Sequence, residues 1–133
     1  MRIINKPWGY EEIWAEGSTG TGYLGKFLHI KPNSRLSLQY HREKEETVYV
    51  RSGTLYMETL GMASEGRDGS INLQASKRMI LSYSEGQIIN IKPFFTHRFC
   101  AKDEPVELIE VSTNYLEDVI RIEDDYERGT IKG

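Results

Sequence analysis

The sequence predicts an all-β fold, an antiparallel barrel or sandwich, and three observations support that prediction. Apolar and β-branched residues occur in short runs, turn residues separate the runs, and almost no stretch shows helical periodicity. The chain has 133 residues, of which 38% are hydrophobic. This length and composition allow one modest core, so we expect a single domain over residues 1–133.

Eight or so short strands follow from the positions of these runs. Turns are expected where turn residues interrupt them, as at Pro32-Asn33-Ser34 and Glu85-Gly86. The polar stretch 61–76 contains three glycines and is predicted to be a loop. The charged tail from Leu116 is expected to form either a short helix or an edge strand. The predicted strands are residues 23–30, 36–40, 47–50, 54–60, 78–83, 88–91, 96–100 and 106–111.

Composition and charge exclude several classes of protein. With 17 basic and 20 acidic residues the net charge is -3, so no positive excess is available to neutralise phosphates and nucleic-acid binding is not expected. The sequence has no apolar run near the length of about 18 residues that spans a membrane, and its first residues lack the apolar core of a signal peptide. Since the single cysteine, Cys100, has no internal disulfide partner, we expect a cytoplasmic protein without membrane contact.

Four polar residues have the spacing of a metal site. Gln39 and His41 are two apart in a strand-like run, so their side chains point to the same face, and Glu46 enters the next strand. His97 lies in a strand-like run near the end of the chain. Nitrogen and oxygen ligands on inward strand positions are what a divalent metal needs. The alternative to a metal site is a barrel with a polar interior and no metal. The third histidine, His29, is expected to be structural.

The same residues match the spacing of two cupin motifs. The first motif, G-x5-H-x-H-x(3-4)-E-x6-G, becomes Asn33, Gln39, His41, Glu46 and Gly53. The second motif, G-x5-P-x-G-x2-H, becomes Gly86, Lys92, Phe94 and His97. The chain therefore resembles the cupins, and the resemblance implies a cupin-type double-stranded β-helix, which is a jelly-roll barrel. It also implies that Gln39, His41, Glu46 and His97 hold one metal ion. Asn33 replaces a turn glycine, and asparagine tolerates the left-handed conformation better than most residues.

A narrower resemblance extends along most of the chain. The Gln-x-His pair is similar to that of the phosphomannose isomerases, and further segments resemble the type II phosphomannose isomerase domain. These segments are Lys6-Pro7-Trp8-Gly9 for R-P-W-G, residues 35–41 for R-L-S-L-Q-x-H, residues 108–111 for L-I-E-V and residues 123–128 for E-D-x-Y-G-R. The resemblance implies an aldose–ketose isomerase that converts mannose 6-phosphate to fructose 6-phosphate through an enediol. It further implies a small-molecule sugar or sugar phosphate as ligand, a homodimer, and one divalent metal, first Zn and otherwise Mn, Fe or Ni.

Two acids are candidates for proton transfer. Glu43 stands where the family commonly has a second histidine, and it shares the face of Gln39 and His41 if the strand continues. The alternative for Glu43 is one more solvated charge in a charged run. Glu110 is expected either to point inward from an apolar strand or to face solvent by normal alternation.

Three cations are candidates for binding a substrate phosphate. Arg128 matches the arginine of the closing motif, and Lys26 lies in a strand that could line the mouth of the barrel. Arg98 follows His97 directly, so strict alternation points it away from the metal. The alternative for each is an ordinary surface charge.

Departures from the family pattern leave rival functions open. The changes at Glu43 and at residues 92–95 favour another sugar isomerase or epimerase of polysaccharide biosynthesis, or a sugar-binding or regulatory cupin without turnover. Arg128 and the Gln39-x-His41 pair favour the phosphomannose isomerase reaction.

Overall fold

A computed structural model describes residues 2–126 and contains thirteen strands. No helix occurs in this part of the chain, so the all-β prediction is confirmed, and none of residues 2–126 belongs to a helix that could cross a membrane. The strands are β1 (Arg2–Lys6), β2 (Gly9–Glu16), β3 (Tyr23–Ile30), β4 (Leu38–Tyr40), β5 (Glu46–Ser52), β6 (Leu55–Thr59), β7 (Ala63–Glu65), β8 (Ile71–Leu73), β9 (Met79–Tyr83), β10 (Ile88–Ile91), β11 (Arg98–Cys100), β12 (Val106–Thr113) and β13 (Ile120–Glu123).

The strands form two layers around one core. The first layer is a six-stranded antiparallel sheet in the order β1-β2-β3-β12-β5-β10. The second layer combines the sheet β11-β6-β9 with the pair β13-β4, and a bridge between Gln39 and His97 links the two. One cluster joins buried apolar side chains from both layers, such as Val50 and Leu108 in the first and Met57 and Phe99 in the second, so the core lies between the layers as in other β-sandwiches.

The inner face of the large sheet changes character along its strands. Side chains alternate with a period of two, and at one end the inward positions are apolar, as with Val50 and Leu108. Further along the same strands the inward positions hold Lys26, Glu46 and Glu110, all buried. The interior therefore has an apolar half, which holds the layers together by burial of apolar surface, and a polar half, which holds the candidate site.

Most strand predictions are confirmed, and two regions differ. Predicted strands 23–30 and 88–91 match β3 and β10, and the other six differ from the observed strands by at most two residues at either end. The predicted loop 61–76 contains the hairpin β7-β8, whose strands of three residues are too short to show alternation. The hairpin β1-β2 was not expected, because charged and apolar residues share the inward face of β2. The tail forms the strand β13, which was one of its two alternatives.

Within residues 2–126, two residues other than glycine adopt the left-handed conformation. They are Asn33, with φ of 57°, and Phe94, with φ of 67°, and both stand where the cupin motifs have glycine. The N–H of Phe94 donates to the carbonyl of His41, and its own carbonyl accepts from the N–H of Ala63, both at 2.7 Å. Its ring stacks on Tyr40, with 5.7 Å between the ring centroids. These contacts hold the chain in the turn that leads to His97.

Candidate metal centre and its cavity

Two histidines and one glutamate meet at the junction of the two layers. His41 follows β4, Glu46 begins β5 and His97 precedes β11, and all three are buried. Nε2 of His41 lies 3.7 Å from Oε2 of Glu46, and Nε2 of His97 lies 3.7 Å from Oε1 of the same carboxylate. One ligand atom from each residue lies within 4.8 Å of the others. Atoms bound to one tetrahedral ion at about 2.1 Å are about 3–4 Å apart, so these residues fit a shared ion.

Backbone carbonyls fix the orientation of both imidazole rings. Nδ1 of His41 contacts the carbonyl oxygen of Asp118, and Nδ1 of His97 lies 3.0 Å from the carbonyl oxygen of Phe95. Because a carbonyl only accepts, each Nδ1 carries a hydrogen, so a neutral ring at either position presents the lone pair of its Nε2 toward Glu46. Among the described residues, the buried Nε2 of His97 has no hydrogen-bond partner. A buried acceptor without a donor is rare, and a metal ion would satisfy it.

Gln39 is held beside His97 by the backbone. The N–H of Gln39 donates to the carbonyl of His97 at 3.0 Å, and the N–H of His97 donates back at 2.9 Å. Gln39 also lines the cavity next to His41 and Glu46. The structure thus brings together all four residues of the predicted ligand set, and metal coordination by these residues stays a prediction.

The electrostatics of the centre suit metal binding. Burial, with a contribution from His97, lowers the pKa of His41 to about 4, so the ring is neutral near pH 7. Burial alone would raise the pKa of Glu46, but Lys44 above all, with the two histidines, lowers it to about 2. An ionised carboxylate beside a neutral imidazole is the protonation state that a divalent cation needs.

Lys44 is a residue of the site that the sequence analysis missed. Its Nζ lies 3.0 Å from Oε2 of Glu46 and 3.0 Å from Oε2 of Glu110. Burial would lower the pKa of Lys44, but the two carboxylates raise it above its ordinary value, so the ammonium stays charged. Alternation counted backward from Glu46 in steps of two reaches Lys44, and this signal could have found it.

The condition under which Glu43 would share the face of Gln39 and His41, a strand that continues past them, is not met, and Glu43 is the solvated charge of the alternative. Strand β4 ends at Tyr40, and residues 41–45, which we call the ligand loop, have no strand partner. The backbone of this loop turns, so the side chain of Glu43 is exposed while that of Lys44 is buried. The structure therefore leaves Glu43 on the surface, outside the residues that line the cavity.

The other predicted acid and one predicted cation do reach the cavity. Glu110 points inward from β12 and is 3% exposed. Lys26 faces Glu110 across the sheet, and its Nζ lies 3.0 Å from Oε2 of Glu11. Together these charges form what we call the cavity cluster, which consists of Glu11, Lys26, Lys44, Glu46 and Glu110.

The cavity beside the metal centre has a volume of about 320 Å³, within the range of small-molecule sites. Apolar side chains such as Leu28 and Phe99 line it next to the cavity cluster. β1 contributes Lys6, and the C-terminal segment, residues 114–125, contributes several residues, including Arg121. The cavity is therefore lined by both charged and apolar side chains.

The remaining predicted residues lie elsewhere. Arg98 is fully buried, and its Nε donates to the carbonyl of Leu36 at 2.8 Å. Because it follows His97 on β11, its side chain points to the opposite side of the layer, and it does not line the cavity. Arg128 lies outside the described residues. His29 stacks on Tyr10 at 5.0 Å on the large sheet, away from the metal centre.

The chain is similar in sequence to proteins of sugar-nucleotide and polysaccharide biosynthesis. It is 33% identical over 132 residues to the xanthan biosynthesis protein XanB of Xanthomonas campestris pv. campestris, and the matched region covers 96% of this chain and 24% of that protein. It is 34% identical over 134 residues to mannose-1-phosphate guanylyltransferase of Escherichia coli strain K12, covering 96% of this chain and 23% of the relative. The chain thus spans about a quarter of the length of the curated relatives it matches. No protein-family model matches it.

Solved structures decide the fold. Rru_A2000 of Rhodospirillum rubrum, described as a cupin-2 domain, superposes with a TM-score of 0.59 and 13% identity over 80% of this chain and 60% of that one. The chain has the cupin fold. The chain also superposes on CapF of Staphylococcus aureus, with a TM-score of 0.69 and 12% identity, over 92% of this chain and 34% of that one. Oxalate decarboxylase of Bacillus subtilis, described with Mn(II) centres, superposes with a TM-score of 0.63 and 16% identity, over 92% of this chain and 30% of that one. The predicted cupin barrel is confirmed.

Proposed function

We propose that this cupin is a metal-dependent enzyme acting on a sugar phosphate, an aldose–ketose isomerase that interconverts mannose 6-phosphate and fructose 6-phosphate. The observation that carries the proposal is the buried Nε2 of His97, which faces the ionised Glu46 without a hydrogen-bond partner among the described residues. The relatives named for mannose 1-phosphate and for xanthan support a sugar as ligand.

His41, Glu46 and His97 would hold the metal, with the side-chain oxygen of Gln39 as a fourth, neutral ligand. A bound divalent ion would supply Lewis-acid polarisation of a carbonyl or hydroxyl oxygen of the sugar. Two imidazoles with oxygen ligands suit Zn, and they also suit Mn, Fe or Ni. The Mn(II) centres of oxalate decarboxylase, which shares the fold, make Mn the first alternative to Zn.

The chain's own residues would move the proton. In the isomerisation a base takes the proton from C2 of the aldose and returns it to C1 of the enediol, so no net oxidation occurs. We assign this role to Glu110, which is buried beside the metal centre. The ammonium of Lys44, 3.0 Å from Glu110, would stabilise negative charge that develops on the sugar oxygens. Glu43, on the surface, lies too far out for the role that its position in the motif had suggested.

Cations around the cavity would recognise the phosphate. Lys26 lines the cavity together with Lys6 and Arg121, and phosphate groups are bound by such lysine and arginine side chains. Arg128, predicted from the closing motif, is a further candidate for the same role.

A cytoplasmic homodimer remains the expected form of the protein, and its mass in solution can be measured by light scattering.

The test combines metal analysis of the purified protein with a coupled assay for fructose 6-phosphate. We expect about one metal ion per chain, turnover that a chelator abolishes, and recovery with Zn²⁺ or Mn²⁺. His97→Ala should lose both metal and turnover, whereas the matched control His29→Ala should keep both. Absence of metal together with absence of turnover would contradict the proposal and favour a cupin that binds sugar without reaction.

A second candidate is another isomerase or epimerase of polysaccharide biosynthesis. The exposed position of Glu43 and the relation to a xanthan biosynthesis protein favour it. Stoichiometric metal without mannose 6-phosphate turnover would favour this candidate. A panel of other phosphorylated and nucleotide-linked sugars, assayed with wild type and His97→Ala, would then identify the substrate.

A further inference from the structure

One carboxylate holds the backbone of the ligand loop. Asp118 lies in the C-terminal segment, between β12 and β13. Its Oδ1 accepts from the N–H of Arg42 at 3.1 Å, and its Oδ2 accepts from the N–H of Glu43 at 2.7 Å and of Lys44 at 3.0 Å. Three successive N–H groups around one anion form the arrangement by which backbone amides bind anions elsewhere.

The same residue also orients a ligand. The backbone carbonyl of Asp118 accepts from Nδ1 of His41. Asp118 therefore contacts four consecutive residues, of which the first is a proposed metal ligand and the last is the buried lysine of the site. Next to it, Thr113 exchanges two hydrogen bonds with Glu45, through its N–H and its Oγ1, both at 3.1 Å.

The ligand loop depends on these contacts because it has no strand of its own. β4 ends before it and β5 begins after it, so residues 41–45 belong to no strand ladder, and the backbone–backbone hydrogen bonds to the loop lie at its two ends, at His41 and Glu45. The direction in which the loop turns decides that Lys44 faces the cavity and that Glu43 faces solvent. Asp118 holds the backbone at the point where that direction is set.

We infer that Asp118 is a positioning residue for the metal centre. It does not ligate the ion; it fixes the ring of His41 through its carbonyl and the backbone of the ligand loop through its carboxylate. This inference rests on the proposed metal site. Partners of metal ligands typically change metal affinity by about 10–100-fold when they are removed, so the carboxylate of Asp118 should contribute to affinity from outside the coordination sphere.

A matched control separates positioning from general stability. Asp125 is in the same C-terminal segment and makes a two-pronged ion pair with Arg35, at 2.7 and 2.8 Å. Within residues 2–126 it makes no recorded contact with the ligand loop. Asp118→Asn and Asp125→Asn are therefore the same chemical change in the same segment, and only the first touches the loop.

The experiment titrates Zn²⁺ into the full chain by competition with a chromophoric chelator and records the visible spectrum of the Co²⁺-loaded protein. We expect Asp118→Ala to weaken Zn²⁺ binding by about tenfold or more and to change the Co²⁺ spectrum. Asp118→Asn keeps one acceptor oxygen and should lose less. Asp125→Asn should leave the affinity within about twofold and the spectrum unchanged, even where its melting temperature falls.

The outcomes are distinguishable. Unchanged Zn²⁺ affinity and Co²⁺ spectrum in Asp118→Ala would overturn the positioning role and leave the metal centre intact. If Asp118→Ala does not fold, the comparison of Asp118→Asn with Asp125→Asn decides, and equal affinities would overturn the inference. A wild-type chain that binds neither Zn²⁺ nor Co²⁺ would overturn the metal centre and the positioning role together.

Discussion

Within residues 2–126, two clusters of oppositely charged side chains are built differently. The cavity cluster lies in the polar half of the interior, and its side chains are at most 12% exposed. The second, which we call the latch cluster, lies on the second layer and ties the C-terminal segment to it. The latch cluster consists of Arg35, Glu58, Arg78, Arg98, Glu123 and Asp125.

The difference lies in the cations and in the access of water. The latch cluster uses arginine, whose planar group binds several carboxylates at once, and the carboxylates of Glu123 and Asp125 remain about 40% exposed. The cavity cluster uses lysine, and water does not screen its charges. Taking charges out of water costs more than a hydrophobic replacement would. A buried cluster such as the cavity cluster therefore indicates a site, whereas a partly exposed one such as the latch cluster fastens a segment.

The largest expected effect of breaking either cluster comes from Lys44. Lys44→Met leaves Glu46 and Glu110 buried without their cation, and removal of one partner from such a network costs about 3–5 kcal/mol of unfolding free energy. Urea denaturation of the metal-free protein measures it. The control Lys92→Met removes a lysine that is 67% exposed and lies 3.1 Å from Glu45, where we expect less than about 1 kcal/mol. Equal losses in the two variants would contradict the comparison.

A second variant sharpens the role of the cavity cluster in catalysis. Glu110→Gln keeps the shape of the side chain but removes the proposed base, so we expect turnover of mannose 6-phosphate to fall by about 10²–10⁴-fold while metal content stays the same. Glu107→Gln on the same strand, where the side chain is 40% exposed, is the control and should keep full turnover. Loss of metal in Glu110→Gln would instead indicate a role in holding the ion.

The smallest effect is expected in the latch cluster. Asp125→Asn should cost about 0.2–1 kcal/mol, since the pair with Arg35 is well exposed. The hydrogen bond from Arg35 lowers the pKa of Asp125 below its ordinary value of 3.8. Its stabilisation is therefore complete above pH 3.8 and is lost as the pH falls through the lowered pKa. The difference in unfolding free energy between wild type and Asp125→Asn should be constant at neutral pH and shrink in acid. A difference that grows in acid would be inconsistent with the pair.

The strands could be predicted from the sequence because alternation along β3, β5 and β12 follows from each strand alone. The candidate ligands Gln39, His41, Glu46 and His97 were predicted from the resemblance to the cupin motifs, and a bridge between Gln39 and His97 brings the two motifs together. The orientation of the ligand loop could not be predicted, since contacts with Asp118, more than 70 residues along the chain, decide it. That is why Glu43 was a candidate for the inner face, whereas Lys44 was missed although alternation counted backward from Glu46 reaches it.

The position of Arg98 shows a limit of another kind. Alternation predicted that its side chain points away from the metal, and that is where it lies, fully buried under the C-terminal segment. What the sequence did not reveal is that this segment would return to cover it. A cation without an evident local partner was therefore read as a candidate phosphate ligand, although distant carboxylates neutralise it.

The left-handed turn at Phe94 has a consequence for what a sequence motif records. A side chain costs about 1–2 kcal/mol in this conformation, and here two backbone hydrogen bonds and the ring of Tyr40 offset that cost. Asn33 reaches the same conformation with a residue that tolerates it. The two motif glycines thus mark positions that require left-handed torsion angles. A chain can carry other residues there and keep those angles, so the sequence of a relative can depart from the motif while its backbone follows the same path into the metal centre.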